Sequence, residues 1–152
     1  MKKVILTAAV VLMSMLGANA QGYNGSSSNS YGNRSNSYVG TQRVSHNASL
    51  TIQNRSSYEL TVKIMRTGGR GLYQTLTIAP YSSGYVSFSK SDSFYTKTKA
   101  SKKLETLYKK SGAFSIQCDE TGYSQATLQF YVSSGNGGTG QSISKSEFDS
   151  NK

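Results

Sequence analysis

The sequence is short of the side chains on which most catalysis and metal binding depend. Its 152 residues contain one histidine (His46), one cysteine (Cys118), one proline and no tryptophan. His46 precedes the first predicted strand, where nothing holds a base within hydrogen-bond reach of a nucleophile. Cys118 closes an apolar alternation, which is typical of a buried small side chain, and one cysteine forms no internal disulfide. We therefore predict a protein that is not an enzyme, with no catalytic residue, no metal site and no cofactor.

Acidic residues are also scarce. The chain has 7 Asp and Glu against 17 Lys and Arg, a net charge of +10. No group of acids has the spacing of a calcium-binding loop. A glycosidase would need two carboxyl groups facing one cleft. Because the sequence does not show which acids are close in space, such an enzyme stays open as the third alternative.

Long hydrophobic runs are absent except at the start of the chain. Lys2 and Lys3 precede an apolar run over residues 4–16, and the small-residue motif Ala18-Asn19-Ala20 follows it. This order is typical of a secretory signal peptide, and the run is shorter than the about 20 residues of a transmembrane helix. We predict that residues 1–20 are removed on export to the periplasm, the outer surface or the medium, and that the chain has no transmembrane anchor. Removal lowers the net charge from +10 to +8.

Aliphatic residues are missing from residues 21–38, which are mostly Ser, Asn, Gly and Tyr. Such a segment cannot bury enough apolar surface to offset the entropy lost on ordering, so we predict a flexible leader over residues 21–43. Ser- and Gly-rich sequence returns after residue 132, and a flexible polar tail is predicted over residues 133–152. Residues 44–132 form one predicted β domain.

Between these segments, apolar residues alternate with polar ones with a period of two, which is typical of half-buried strands. We predict an all-β fold, a small antiparallel β-sandwich of immunoglobulin-like size with about seven strands, and a β-barrel as the alternative. In residues 101–110, Leu104, Leu107 and Tyr108 fall at helical spacing, which predicts one or two helical turns, with a long hairpin as the alternative. The seven alternating runs lie near residues 50–52, 60–64, 72–78, 86–88, 94–100, 114–118 and 126–132.

Two segments carry a resemblance to known proteins. The runs N-R-S-S-Y-E-L-T-V-K-I at 54–64 and L-T-I-A-P-Y-S-S-G-Y-V-S-F at 76–88 resemble the small exported β-sandwich proteins of unknown function found in Gram-negative bacteria. An opening strand, an N-x-S turn and an I-x-P-x-S-S turn recur in those proteins. The resemblance implies the sandwich fold and contributes no active residue.

Lysine and tyrosine form the most informative constellation. Seven lysines lie between residues 90 and 110, against Asp92 and Glu105. On a strand, Tyr95, Lys97 and Lys99 share one face, where ammonium groups and a ring fit an acidic polymer. Outward lysines also keep a sheet soluble and protect its edge, and this simpler reading stays open. The predicted binding residues on this segment are Tyr95, Lys97, Lys99, Lys102 and Lys103.

The glycine-rich loop at residues 66–71 is a second candidate anion site. Arg66 and Arg70 flank glycines whose backbone N–H groups could converge on an anion. The loop joins two predicted strands, however, and does not match the phosphate-loop pattern, so a plain hairpin loop explains it better.

Two functions follow. The first is an exported, non-enzymatic binding protein of the bacterial envelope that contacts an acidic glycan, an anionic lipid surface or nucleic acid. The second is a structural or adhesion protein that acts by strand addition or self-association. Tyrosines on the polar phase of their strands, Tyr73, Tyr85, Tyr95 and Tyr131, would form a contact platform in either case or pair across strands. The oligomeric state stays open.

Overall fold

The computed structural model describes residues 4–16, 47–134 and 140–152. The predicted cleavage motif at 18–20, the predicted leader at 21–43 and His46 lie outside the described residues. The described part is all-β apart from one short helix, and this confirms that part of the fold prediction. None of its helices is long and apolar enough to cross a membrane. The elements are β1 (Val4–Leu16), β2 (Ala48–Asn54), β3 (Glu59–Arg66), β4 (Leu72–Ile78), β5 (Ser83–Phe88), β6 (Asp92–Lys102), β7 (Glu105–Lys110), β8 (Phe114–Ile116), β9 (Cys118–Asp119), β10 (Gly122–Ser134), β11 (Gln141–Ser142) and α1 (Lys145–Asp149).

The strands form two sheets. Sheet A has the order β1-β10-β2-β5, with β9 also pairing β10, and sheet B has the order β11-β7-β6-β3-β4, with β8 also pairing β6. The predicted antiparallel arrangement is wrong at one place, because β10 pairs with β2 in parallel. These two strands are far apart in the chain, so no hairpin imposes an antiparallel direction on them.

One hydrophobic core takes side chains from both sheets. The rings of Phe88 on β5 and Phe94 on β6 lie 4.8 Å apart, which places the inner faces of sheets A and B in contact. Each of the seven predicted alternating runs contains a strand. The apolar phase of the runs is largely buried, although Leu72 and Leu76 on β4 are half-buried. Cys118 is buried in the same core, and its thiol donates a hydrogen bond to the Phe88 carbonyl oxygen. The largest fully buried side chains include Leu50, Ile52, Leu60, Ile64, Phe88, Phe94, Ile116, Leu128 and Phe130.

The helical turns predicted over residues 101–110 are wrong, and the alternative, a long hairpin, is found. β6 and β7 pair in antiparallel register from Lys97 opposite Lys110 to Lys102 opposite Glu105. Leu104 lies in the connecting turn and is fully exposed. Because Leu104 contributes nothing to a buried face, its helical spacing from Leu107 and Tyr108 had no packing to reinforce it.

The C-terminal residues also differ from the predicted flexible tail. β10 continues to Ser134, β11 pairs with β7, and α1 packs against β6. Ser144 caps α1 by accepting a hydrogen bond from the Glu147 N–H. The side chain of Phe148 is 4 % exposed. Burying one large aromatic ring contributes about 2 kcal/mol to stability. The polar composition of the segment as a whole does not predict this contribution.

Charge is distributed unequally between the sheets. The strands of sheet A carry one charged residue, Asp119 on β9, and the outward phase of β2, β5 and β10 consists of Ser, Thr, Gln and Tyr. In contrast, β3, β6 and β7 of sheet B carry lysines on each strand. Candidate sites for an acidic ligand are therefore confined to sheet B and its connections.

A candidate polyanion site on sheet B

Three lysines form a row across the outer face of sheet B. Lys63 on β3 lies opposite Lys97 on β6, and Lys97 lies opposite Lys110 on β7. Directly opposed residues of neighbouring strands have their Cβ atoms about 5 Å apart, so like charges in this arrangement destabilise the sheet. The lysine row, defined as these three residues, therefore requires acceptors or anions close by.

The chain supplies those acceptors itself. Residues 143–152, which we call the strap, run over the lysine row and contain α1. The Lys97 ammonium group donates to the backbone oxygens of Glu147 at 2.8 Å, Ser150 at 2.9 Å and Lys152 at 3.3 Å. These three bonds use all three ammonium protons. The first of them also satisfies a carbonyl in the last turn of α1, where carbonyls have no partner within the helix.

The two outer lysines bind the strap on either side of Lys97. Lys63 donates to the Asp149 carbonyl oxygen at 3.2 Å and to the Asn151 side-chain oxygen at 2.9 Å. Lys110 lies 3.8 Å from a carboxylate oxygen of Glu147. The Phe148 ring centroid lies 5.0 Å from the Lys63 ammonium and 5.5 Å from the ring centroid of Tyr108. The strap therefore has an aromatic anchor surrounded by hydrogen bonds and ion pairs.

The pKa values of Lys97 and Asp149 reflect the contact between the lysine row and the strap. Burial lowers the pKa of Lys97, with Lys110 and Lys63 adding to the effect and Glu147 opposing it. The hydrogen bond from Lys145 is the largest cause of the lowered pKa of Asp149, and Lys63 and Lys99 act in the same direction. The strap thus supplies the lysine row with backbone and amide oxygens and with one carboxylate, that of Glu147.

Tyr95 and Lys97 share a face with Lys99, but the strap covers two of these three predicted binding residues. Lys97 is 2 % exposed. The Tyr95 hydroxyl donates to the Lys152 carbonyl oxygen at 3.5 Å, and the Lys110 ammonium lies 4.9 Å from the Tyr95 ring centroid. While the strap is bound, Lys97 is closed to an external ligand, whereas Tyr95 is half-buried.

The glycine-rich loop is also engaged with an acid of the chain. It connects β3 to β4 as a hairpin, with Gly68, Gly69 and Gly71 all at positive φ. Arg70 and Arg66 both form salt bridges with Asp92, the latter at 3.6 Å. The backbone hydrogen bond from Ser93 is the largest cause of the lowered pKa of Asp92, and Arg70 and Arg66 reinforce it. The predicted anion site at this loop is therefore occupied by Asp92.

The turn between β6 and β7 leaves lysines uncovered. We call residues 102–105 the hairpin tip. Lys102 and Lys103 are exposed, and Lys103 has a φ of 52°, a left-handed conformation that is uncommon for a residue other than glycine. Lys102 donates to the Ser57 hydroxyl at 2.7 Å. Within the described part of the chain, neither these two lysines nor the half-buried Lys99 forms an ion pair with an acid.

The acidic residue of the hairpin tip is hydrogen-bonded to a tyrosine. Glu105 accepts a hydrogen bond from the Tyr58 hydroxyl. This bond is the largest cause that raises the pKa of Tyr58 to about 12, and burial and the Glu105 charge add to it. The folded protein therefore keeps the Tyr58 proton between pH 10 and 12, whereas the unfolded chain loses it. Stability from this pair is present below pH 10 and is lost as the pH rises through about 12.

The Tyr58–Glu105 contact gives a testable pH dependence. We expect Glu105→Ala to lower the pKa of Tyr58 towards the ordinary tyrosine value of 10.0. The measurement is the pH dependence of the Tyr58 Cζ chemical shift. Glu59→Ala, which removes an exposed acid next in sequence to Tyr58, serves as the control and should leave the pKa of Tyr58 unchanged. An equal shift in both variants would contradict the specific hydrogen bond.

The tyrosines predicted to share an outward platform are separated. Tyr73 packs its ring 5.1 Å from that of Phe88, against the core. Tyr95 lies under the strap on sheet B, whereas Tyr85 and Tyr131 are exposed on the strands of sheet A.

The strap is the feature that the sequence analysis missed. One signal for it exists, because Ser144 and Glu147 have the spacing of a helix N-terminal capping box, directly before Phe148.

The described residues contain no group of three His, Cys, Asp or Glu side chains able to hold a metal ion. Comparisons with protein-family models, with curated proteins and with solved structures find no match to the chain.

Proposed function

We propose that the chain is an exported, non-enzymatic binding protein that contacts an acidic polymer or surface through the hairpin tip and Lys99. One observation carries the proposal: Lys99 and Lys102 on β6 and Lys103 in the following turn have no acid of the described chain paired to them. The lysine row and the glycine-rich loop, by contrast, are bound to groups of the chain itself. Unpaired cations at one end of a sheet concentrate positive potential there.

Phosphate, sulfate or carboxylate groups are the chemistry that such a surface recognises. Lysine binds them as a point charge, and long-range attraction accelerates the encounter. Leu104, fully exposed between lysines and Glu105, adds an apolar contact that a purely solubilising surface does not need. Glycan, lipid headgroup and nucleic acid share this chemistry, and all fall within the proposal.

The proposal also covers how the two sheets pack and where the protein is located. In it, sheets A and B pack as a sandwich, and the core that their residues share supports this arrangement. Residues 1–20 direct export to the envelope or the outside of a bacterial cell, where acidic polymers are exposed. The resemblance of residues 54–64 and 76–88 to exported β-sandwich proteins supports both points.

Retention on a polyanion matrix tests the proposal. We expect the protein to be held at about 0.15 M salt and to elute as salt rises, because binding releases counterions. The double variant Lys102→Glu/Lys103→Glu should wash through at the same salt concentration. Lys97 is not a target for this test, since its reversal would detach the strap.

The control is a double variant with the same change in net charge at the other end of β3. Arg70→Glu/Lys90→Glu alters two exposed residues beside the glycine-rich loop. We expect this variant to elute close to the wild type. If both variants lose retention equally, binding depends on net charge alone and the hairpin tip is not a site.

A second candidate function is assembly by strand pairing. One observation favours it: β10 carries no charged residue and no proline over its whole length. Such strands pair readily with other chains when their edge is open.

A further inference from the structure

The edge of β10 is covered by the segment that is predicted to be removed. β1 pairs with β10 in antiparallel register from Val4 opposite Ser134 to Leu16 opposite Gly122, along the full length of β10. On its other edge, β10 is paired over shorter stretches, by β2 at Gln125–Phe130 and by β9 at Gly122–Tyr123. Cleavage after residue 20 would leave one long edge of β10 without hydrogen-bond partners.

An open edge of this kind is unfavourable. Unpaired backbone groups on a buried or half-buried edge cost free energy, and exposed edges pair with whatever strand is available. Sheets normally protect edges with lysine, proline or a bulge, and β10 has none of these. The edge therefore needs a replacement strand.

The predicted leader is a poor replacement. The inward residues of β10 are Ala126, Leu128 and Phe130, so a neighbouring strand must bring apolar side chains to that face. Residues 21–38 contain no aliphatic residue, and residues 39–46 include Arg43 and His46. A leader strand would place polar side chains beside the core.

A second copy of β10 meets each requirement. It has apolar residues on the inward phase, uncharged Gln125, Thr127 and Gln129 on the outward phase, and the same length. β1 shows that this edge accepts an antiparallel strand, and two identical strands pair antiparallel about a two-fold axis. We propose that, once residues 1–20 are removed, two copies of the chain pair β10 to β10 and form a symmetric dimer.

This inference rests on the second candidate function and on cleavage after residue 20, and it is independent of polyanion binding. The dimer contains a continuous sheet in the order β5-β2-β10-β10-β2-β5. Pairing uses sheet A, so both copies keep sheet B and its hairpin tip exposed. Two tips on one rigid dimer would bind an extended polyanion more tightly than one tip does.

The test uses the exported protein, whose cleavage is read from its mass, and the uncleaved chain 1–152 made without export. We expect the cleaved protein to sediment as a dimer at about 100 µM, and the uncleaved chain to sediment as a monomer because β1 occupies the edge. A monomeric cleaved protein at this concentration, or a dimer of the uncleaved chain, would overturn the proposal.

Two matched variants locate the interface. Thr127→Lys/Gln129→Lys adds like charges at the centre of the proposed pairing and should give a monomer. Thr51→Lys/Gln53→Lys makes the same changes on β2, at the positions directly opposite in the ladder, and should stay dimeric. Thermal unfolding confirms that both variants fold. Dimers in both variants would also overturn the proposal.

The polyanion test is separable from this one. Lys102→Glu/Lys103→Glu should dimerise as the wild type does, whether or not it is retained on a polyanion. Loss of its dimer would contradict the assignment of the interface to β10. Loss of retention alone would leave the dimer intact.

Discussion

Replacing Phe148 with alanine is expected to raise the affinity of the protein for polyanions by about tenfold at 0.15 M salt. Phe148 is the buried anchor of the strap, and truncating a buried phenylalanine costs about 3 kcal/mol. Once the strap detaches, Lys63, Lys97 and Lys110 lose their internal acceptors and become open to an external anion.

The salt dependence distinguishes this effect from a general loosening. Each additional phosphate contact steepens the slope of log K against log salt by about 0.9, so uncovering the lysine row should steepen the slope by about 2 to 3. Amide hydrogen exchange over residues 145–150 reports whether the strap has detached. Ser146→Ala, an uncharged change on the exposed side of α1, is the matched control. It should alter neither the salt slope nor the hydrogen exchange of the strap.

The outcome decides whether the lysine row is a binding surface. If exchange accelerates in the strap while polyanion affinity and salt slope stay at their wild-type values, the row serves the fold alone. If exchange accelerates and both the polyanion affinity and the salt slope increase, the strap competes with external anions for the same lysines.

Replacing Asn54 with alanine is expected to destabilise the fold by about 3 kcal/mol. Asn54 is 1 % exposed, and its amide group donates to the carbonyl oxygens of Tyr58 at 2.6 Å and Ala79 at 3.0 Å, and more weakly to that of Ile78 at 3.4 Å. Its side-chain oxygen accepts from the Ser56 N–H and hydroxyl. Alanine leaves several buried polar groups unpaired, at about 1 to 3 kcal/mol each.

Thermal unfolding of the full chain measures this cost. A loss of about 3 kcal/mol lowers the melting temperature by roughly 10 °C in a domain of this size. Asn47→Ala makes the same change at an exposed position before β2 and should stay within about 0.5 kcal/mol of the wild type. A small loss for Asn54→Ala would mean that water replaces the amide group without penalty.

Asn54 also explains why two turn motifs occur together. It begins the N-x-S turn after β2 and binds carbonyls of the I-x-P-x-S-S segment after β4. The sequence predicts each turn from its local residues, but the bond between them spans 25 residues and has no local signature. The alternation that predicts the strands is local, which is why all seven runs contain a strand.

The candidate site was harder to predict from the sequence, because it also depends on contacts between residues that are far apart in the chain. The period of two correctly places Lys97 on the face opposite Phe94, and outward lysines are normally solvated. Lys97 is nevertheless buried, because residues 50 to 55 positions later in the chain cover it. Phe148, a single apolar residue in a polar tail, predicts neither a helix nor a contact by itself.

The unequal distribution of charge between the sheets gives the folded part an electric dipole moment that points from sheet A towards sheet B. In the field of an anionic layer, such a molecule experiences a torque before it touches the layer. Molecules that arrive would therefore share one orientation, with the lysines inward and the tyrosines Tyr85 and Tyr131 of sheet A facing away.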